Sequence, residues 1–312
     1  RQTREGLRRC ISGFTVCLAD AILGHEWQWL RERWRVAFAA EPERIVGATL
    51  VWSPAALDRE LETFAVERRP PTHRLLHQLI ARNAPVRAAV RIEDLDAAAG
   101  PILALNPHLF PEEELASVLA YRGGPVLLVG AQTPSLPAPS AAGGDGLACW
   151  VYGGGGLPPT VVQDEPREAD EPTGYEDPRS FVVDLPCRDA SEDFLRECAR
   201  LVRDAAGGVR VADEEEFVKA WAMEERGGRL RIQVSNDRFS YVRTVIDAGR
   251  PLAGVKVLSA YPGMPVVPDG SRFRVRVPPR GTVVLEAQVS WLPDAARASD
   301  ARAASGNREG AT

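Results

Sequence analysis

His73 and His77 stand four residues apart in a segment of helical periodicity, which puts two imidazoles on one helix face at the spacing of a metal-binding pair. The residues between them, Arg74-Leu75-Leu76, hold no glutamate, and no third ligand is evident, so no metal is assigned. Cys149, in Ala148-Cys149-Trp150, and His108, at the end of a hydrophobic run, have the residue types of a thiol–imidazole dyad. Nothing in their spacing fixes a geometry. A buried thiol and a capping or solvent-facing histidine are the preferred readings. Ligand groups in α/β sheets collect where strands end. Asn106-Pro107-His108 closes the run Ile102-Leu103-Ala104-Leu105, so Asn106 and His108 are the ligand-binding candidates. The run Gly153-Gly154-Gly155-Gly156 does not read as a phosphate cradle: no Lys-Ser/Thr follows, and Leu157-Pro158-Pro159 cannot open a helix. No cofactor is expected.

The elements that must hold these residues alternate between strand and helix. Continuous apolar runs over 45–52, 102–105 and 126–129 read as strands buried on both faces, with a further strand over 86–92. Helices are expected over 55–67, 71–82 and 111–121, the first opened by Ser53 as N-cap with Pro54 behind it. This order predicts a parallel sheet covered on both sides. Ahead of it, Leu7, Ile11, Phe14, Leu18 and Ile22 share one face of a helix expected over 3–23, and Trp27, Leu30, Trp34 and Ala37 stripe a second over 26–39. Residues 131–178 are rich in proline, glycine and acids and read as an irregular insertion, with strand character only at 147–152 and 160–162. A strand over 180–185 follows, then a helix opened by Ser191-Glu192-Asp193 and a short helical or turn-rich piece over 214–223. From Arg229 the pattern switches to period two, with Leu230, Ile232 and Val234 alternating with Arg229, Arg231 and Gln233. Short strands at regular spacing from there predict a small antiparallel β-sandwich. The chain thus divides into helices over 1–44, an α/β domain over 45–185, a helical connector over 186–228, a sandwich over 229–293 and a disordered tail over 294–312.

A chain of 312 residues is long enough for two or three domains. Its net charge of -5 gives no global attraction to nucleic acid or to an anionic membrane, so neither is an expected partner. No apolar run reaches the roughly 20 residues that a membrane-spanning helix needs. Cys10, Cys17, Cys149, Cys187 and Cys198 form no CxxC pair and are odd in number, which predicts free thiols in a reducing compartment and a cytoplasmic protein. The chain opens on Arg1, without a signal pattern, and reads as a fragment.

Four stretches carry a resemblance. They are residues 46–53, Leu79-Ile80-Ala81-Arg82-Asn83-Ala84-Pro85-Val86, the run from Ile102 through Asn106-Pro107-His108 to Phe110, and the run from Glu113 through Tyr121-Arg122-Gly123-Gly124-Pro125 to Val129. Over 45–185 the chain resembles the class I amidotransferase-like domain, a flavodoxin-like parallel sheet. More specifically, it resembles the non-catalytic domain that follows the catalytic barrel in family-42 β-galactosidases. Residues 229–292, with Val234-Ser235-Asn236-Asp237 and the run from Val277-Pro278-Pro279-Arg280-Gly281 to Glu286, are similar to the β-sandwich that closes many glycoside hydrolases.

The resemblance implies an upstream catalytic barrel as partner, with 1–44 as its last helices, carbohydrate as the substrate of that missing domain, and a homo-oligomer. Glycoside hydrolysis needs two carboxyl groups flanking one bond. Asp20, Glu26, Glu41 and Glu43, the acids of the barrel remnant, fall in helical or post-helical text and read as surface acids, so no catalytic residue is assigned. Trp27, Trp29 and Trp34 have rings that can stack on sugars, but their helical spacing reads as core. An amidotransferase would need a cysteine at the turn where Gly130-Ala131-Gln132-Thr133 stands. The expectation is a non-catalytic C-terminal region. The alternatives are a stand-alone ligand-binding or interaction module using Asn106 and His108, and a divergent enzyme using Cys149.

Overall fold

The computed structural model describes residues 1–7, 23–37, 42–67, 69–138, 146–153, 158–164, 189–212, 215, 217–225, 228–259 and 265–290. The expected strand over 180–185 and the expected tail over 294–312 lie outside them.

The first residues differ from expectation, and the remainder of the expected helix, over 8–22, lies outside the described residues. Residues expected to open a helix form a small hairpin, β1 (Gln2–Thr3) and β2 (Gly6–Leu7), with β1 running parallel to a later strand through Gln2 opposite Val90. Gly6 at φ 112° makes the reversal, and Thr3 Oγ1 donates to Gly6 O across it, so the first residue of the expected helix instead closes a turn. Helix α1 (Gly24–Ala37) follows, with Glu26 accepting the Leu23 amide at its start.

The expected strand over 45–52 is two strands. β3 (Arg44–Val46) pairs antiparallel with a strand of the sandwich, and β4 (Ala48–Trp52) enters the α/β sheet. Gly47 between them adopts φ 149°. Ser53 caps α2 (Pro54–Glu67), its Oγ accepting the Ala56 amide at 3.0 Å. Helix α3 (Thr72–Ala81) ends at Asn83, whose φ of 65° turns the chain into β5 (Val86–Arg91). β6 (Ile102–Leu105), a helical turn Pro107–Leu109, α4 (Glu112–Leu119), β7 (Val126–Ala131), β8 (Leu147–Tyr152) and β9 (Thr160–Gln163) complete this half.

The sheet runs β2-β1-β5-β4-β6-β7-β8-β9. β5, β4, β6 and β7 are parallel, and β8 and β9 turn antiparallel at the edge. Every residue of β6 and β7 is buried, as continuous apolar runs demand of strands covered on both faces. One face packs Leu75 and Leu79 of α3 with Phe194, Leu195, Cys198 and Val202 of α5 (Glu192–Ala206). The other packs Leu115 and Val118 of α4 with Leu109, Phe110 and Trp150. Asp164, at the end of β9, accepts the Ser191 amide on its carboxylate, and the Ser191 hydroxyl accepts from Phe194, so two side chains satisfy the start of α5.

The sandwich begins before the period-two run. β10 (Arg210–Val211) joins β13 (Val242–Asp247), β16 (Arg272–Val277) and β15 (Pro268–Asp269) in a four-stranded sheet. β11 (Val218–Glu225), β12 (Arg229–Asn236), β14 (Leu252–Val257) and β17 (Thr282–Val289) make a five-stranded sheet with β3 at its edge. The helical or turn-rich piece expected over 214–223 is therefore corrected to the strand β11. Val218, Ala220 and Ala222 face the core in steps of two, an alternation obscured by helix-favouring alanine, methionine and glutamate.

Candidate functional site

The four longer parallel strands, β5-β4-β6-β7, occur in the spatial order second, first, third, fourth, so the chain direction across the sheet reverses between β4 and β6. A ligand crevice in such a sheet opens at the carboxyl ends of those two strands. Ser53 ends β4 and Asn106 ends β6. Asn106 is 2 % exposed and sits in the left-handed region at φ 52°. Gly130 approaches it so closely that a Cβ there would lie 2.7 Å from the Asn106 Cα.

Protein groups fill much of this crevice. Asn106 Nδ2 donates to Pro70 O at 3.1 Å and to Thr72 Oγ1 at 3.3 Å. The buried Glu60 accepts the Thr72 amide at 2.7 Å, satisfying a donor at the start of α3. Ser53 Oγ donates to Glu114 in the first turn of α4, and Arg59 donates to Leu109 O at 3.2 Å. Asn106 Oδ1, buried with the rest of the side chain, has no hydrogen-bond partner among the described residues. His108 is half-buried in the next turn. The two sequence-predicted ligand residues thus lie together at the strand end, with Asn106 tying the α2–α3 connection to β6. Glu60 and Arg59 escaped the sequence reading because they sit inside an ordinary helical run.

His73 and His77 are exposed on α3, and among the described residues no three His, Cys, Asp or Glu side chains converge as metal ligands would. Cys149 lies in the middle of β8 with no exposed surface, and its thiol meets Cys198 of α5 in a fully buried pair. Burial pushes the Cys198 thiol well above its ordinary pKa, with Cys149 and the nearby acids adding to it. The Cys198 thiol is thereby held protonated, and both sulfurs are shut away from solvent. Of the acids assigned to 1–44, Glu26 caps α1 and Glu43 is exposed; Asp20 and Glu41 lie outside the described residues. Trp27 is 38 % exposed.

A charged cleft of about 670 Å³ separates α3 and α5 from the sandwich. Four of its arginines are matched by acids: Arg82 and Arg196 meet Glu192, Arg200 spans Glu197 and Asp204, and Arg238 meets Glu215 at 3.1 Å, while Arg203 donates to Arg82 O at 2.8 Å. The Arg82 hydrogen bond holds the Glu192 carboxyl below the usual range against its desolvation. Such a lattice joins surfaces and leaves little unbalanced charge for a ligand.

No helix among the described residues is long and apolar enough to cross a membrane. No family model matches the sequence, and no curated protein matches it. Among solved structures the chain is similar to alpha-L-fucosidase isoenzyme 2 from Paenibacillus thiaminolyticus, at 9% identity, over 86% of this chain and 52% of that one, with a TM-score of 0.42. It is similar to a catalytic mutant of Gan42B, a GH42 beta-galactosidase from G. stearothermophilus, at 12% identity, over 84% of this chain and 43% of that one, with a TM-score of 0.45. A second Gan42B structure matches at 11% identity, over 78% and 40%, with a TM-score of 0.40. The chain spans about half the length of these structures, or less.

Proposed function

We propose that this chain is the non-catalytic C-terminal region of a glycoside-hydrolase-like, β-galactosidase-like protein. Its α/β sheet serves subunit contact or barrel support, and its sandwich packs against the rest. The observation that carries this reading is the segment 44–52, which gives one strand to each module with only Gly47 between. Two modules clamped in this way form a rigid pair suited to holding neighbours in place. The second-first-third-fourth strand order supports the flavodoxin-type, amidotransferase-like half of the reading. The partners are an upstream barrel, a second copy and, through the barrel, a carbohydrate. The free buried thiols Cys149 and Cys198 favour the cytoplasm.

The test expresses the full product of the gene beside the 312-residue chain. The full product is expected to hydrolyse a chromogenic galactoside and to assemble, by light scattering, into an oligomer that breaks up when this region is removed. The chain alone is expected to show no turnover. Turnover by the chain alone, or an oligomer and activity untouched by its removal, overturns the reading.

A second reading, a ligand module at Asn106 and His108, is favoured by the unpartnered Asn106 Oδ1 and by left-handed backbone at a strand end. A galactose-induced rise in melting temperature, abolished in Asn106→Ala, would support it.

A further inference from the structure

The outer face of the four-stranded sheet carries more positive charge than the described acids around it balance. β13 and β16 alternate, so Val242, Ile246, Phe273, Val275 and Val277 enter the core while Arg243, Arg274 and Arg276 face out. Arg243 stands directly opposite Arg276 across the antiparallel pair, an arrangement that repels. Arg210 and Arg272, at one end of the face, share the buried Asp247. Arg243, Arg274, Arg276 and Arg280 form no ion pair with any described acid.

Exposed rings flank the free arginines. Tyr241 is 51 % exposed, with the Arg276 guanidinium 4.1 Å from its ring centre. Phe239 is 83 % exposed, with the Arg280 guanidinium 4.2 Å from its ring. A guanidinium held flat on a ring keeps its donors directed outward in the plane, ready for a two-pronged hydrogen bond to an oxyanion.

We infer that this arginine-and-ring face is a docking surface for a short acidic oligosaccharide of the uronic-acid type. Its sugars offer C–H faces to Phe239 and Tyr241, and its carboxylates meet Arg243, Arg274, Arg276 and Arg280. Outward residues on one strand recur about every 7 Å, so successive arginines can meet charges on neighbouring sugars. The extent of the surface decides between polyanions. Four free arginines suit a few charges, whereas a nucleic-acid tract would extend over the remainder of a chain whose net charge is -5. The inference rests on the glycoside-hydrolase-like reading for the ligand class, and on the charge pattern alone for the location.

The experiment titrates the 312-residue chain by calorimetry at low salt with tetragalacturonate, with a neutral galactose tetrasaccharide and with oligo-thymidylate of similar charge. Tetragalacturonate is expected to bind. Binding is expected to weaken about tenfold or more in the Arg243→Ala/Arg274→Ala double variant, a loss of roughly 1.4 kcal/mol or more. Both positions are exposed, and unchanged circular dichroism and melting confirm the fold. A Phe239→Ala variant, which keeps every charge, is expected to lose affinity as well. No binding of tetragalacturonate, binding that survives the double variant, or tighter binding of oligo-thymidylate overturns the inference. Failure here leaves the oligomer and hydrolysis test of the full product untouched, and failure of that test leaves this titration standing.

Discussion

Val46 and Ala48 are two residues apart in the chain and belong to different hydrophobic cores. Val46 stands opposite Ala222 in the sandwich, and Ala48 opposite Val86 in the α/β sheet. Gly208, at φ 100°, passes so close to Val46 that a Cβ there would lie 2.4 Å from its Cγ1. Asn83 completes the junction by accepting the Ala220 amide on its Oδ1 at 3.2 Å. Gly47 at φ 149° is the pivot, and a β-branched residue there would be forced from its preferred backbone. Gly47→Val is expected to cost about 1–3 kcal/mol in urea unfolding of the chain. Full stability in that variant would show that the two sheets do not share the strain.

The sandwich also holds a buried ion pair. Glu225 and Arg231 are 2 % and 7 % exposed, and Arg231 reaches on to the carbonyl of Val36 in α1. Removing one partner strands a charge away from water. Arg231→Met is expected to destabilise by about 3–5 kcal/mol, whereas replacing both partners with methionine recovers most of that loss. Melting temperatures of the two single variants and the double decide it. A double variant no better than Arg231→Met would mean that the contact with Val36 matters more than the ion pair.

The parallel half of the fold was legible because continuous apolar runs have one reading once glycine and proline bound them. β6 and β7 lie where their runs predict, and Ser53 and Ser191 cap the helices expected of them. β11 was not legible, since Ala220, Ala222 and Met223 carry helical preference and only pairing with β12 overrides it. The split at Gly47 was hidden for a different reason: the run over 45–52 is apolar throughout, and which sheet takes each half is decided by long-range partners. At the site, Asn106 could be placed at a strand end from the sequence. Its tie to Pro70 and Thr72 could not, because those contacts are set by the path of the α2–α3 connection. The arginine face was written in Arg272, Arg274 and Arg276 at alternate positions, but its meaning needed Arg243 and Tyr241 from another strand.

The thiols make a further check. Cys149 and Cys198 face each other inside the core, and burial holds the Cys198 thiol protonated at neutral pH. Peptide-resolved alkylation is expected to leave both unmodified while the chain is folded and to modify both in denaturant. Rapid alkylation of Cys149 in the folded chain would return attention to thiol chemistry at that residue.

Acid stability turns on Glu224. Hydrogen bonds from Arg44 hold its carboxyl below the usual range. Burial opposes them, and Arg250 adds to them from the other side. A carboxyl with its pKa lowered in the folded state takes up protons more readily once unfolded. Its contribution is therefore complete above the unfolded pKa and is lost as the pH falls through the lower, folded value. Arg250→Met removes one cation and lets the folded pKa rise toward the unfolded one. The loss of stability is then expected to be largest above the unfolded pKa, where the contribution is complete, and to vanish at low pH where the carboxyl is protonated in both states; the acid transition, followed by tryptophan fluorescence, is expected to move to higher pH. An acid transition that stays where it is would mean that another carboxylate governs unfolding. Asp247 is the next to test: burial would raise its pKa, but hydrogen bonds from the Gly249 amide, Ser271 and Arg210 together bring it below the usual range.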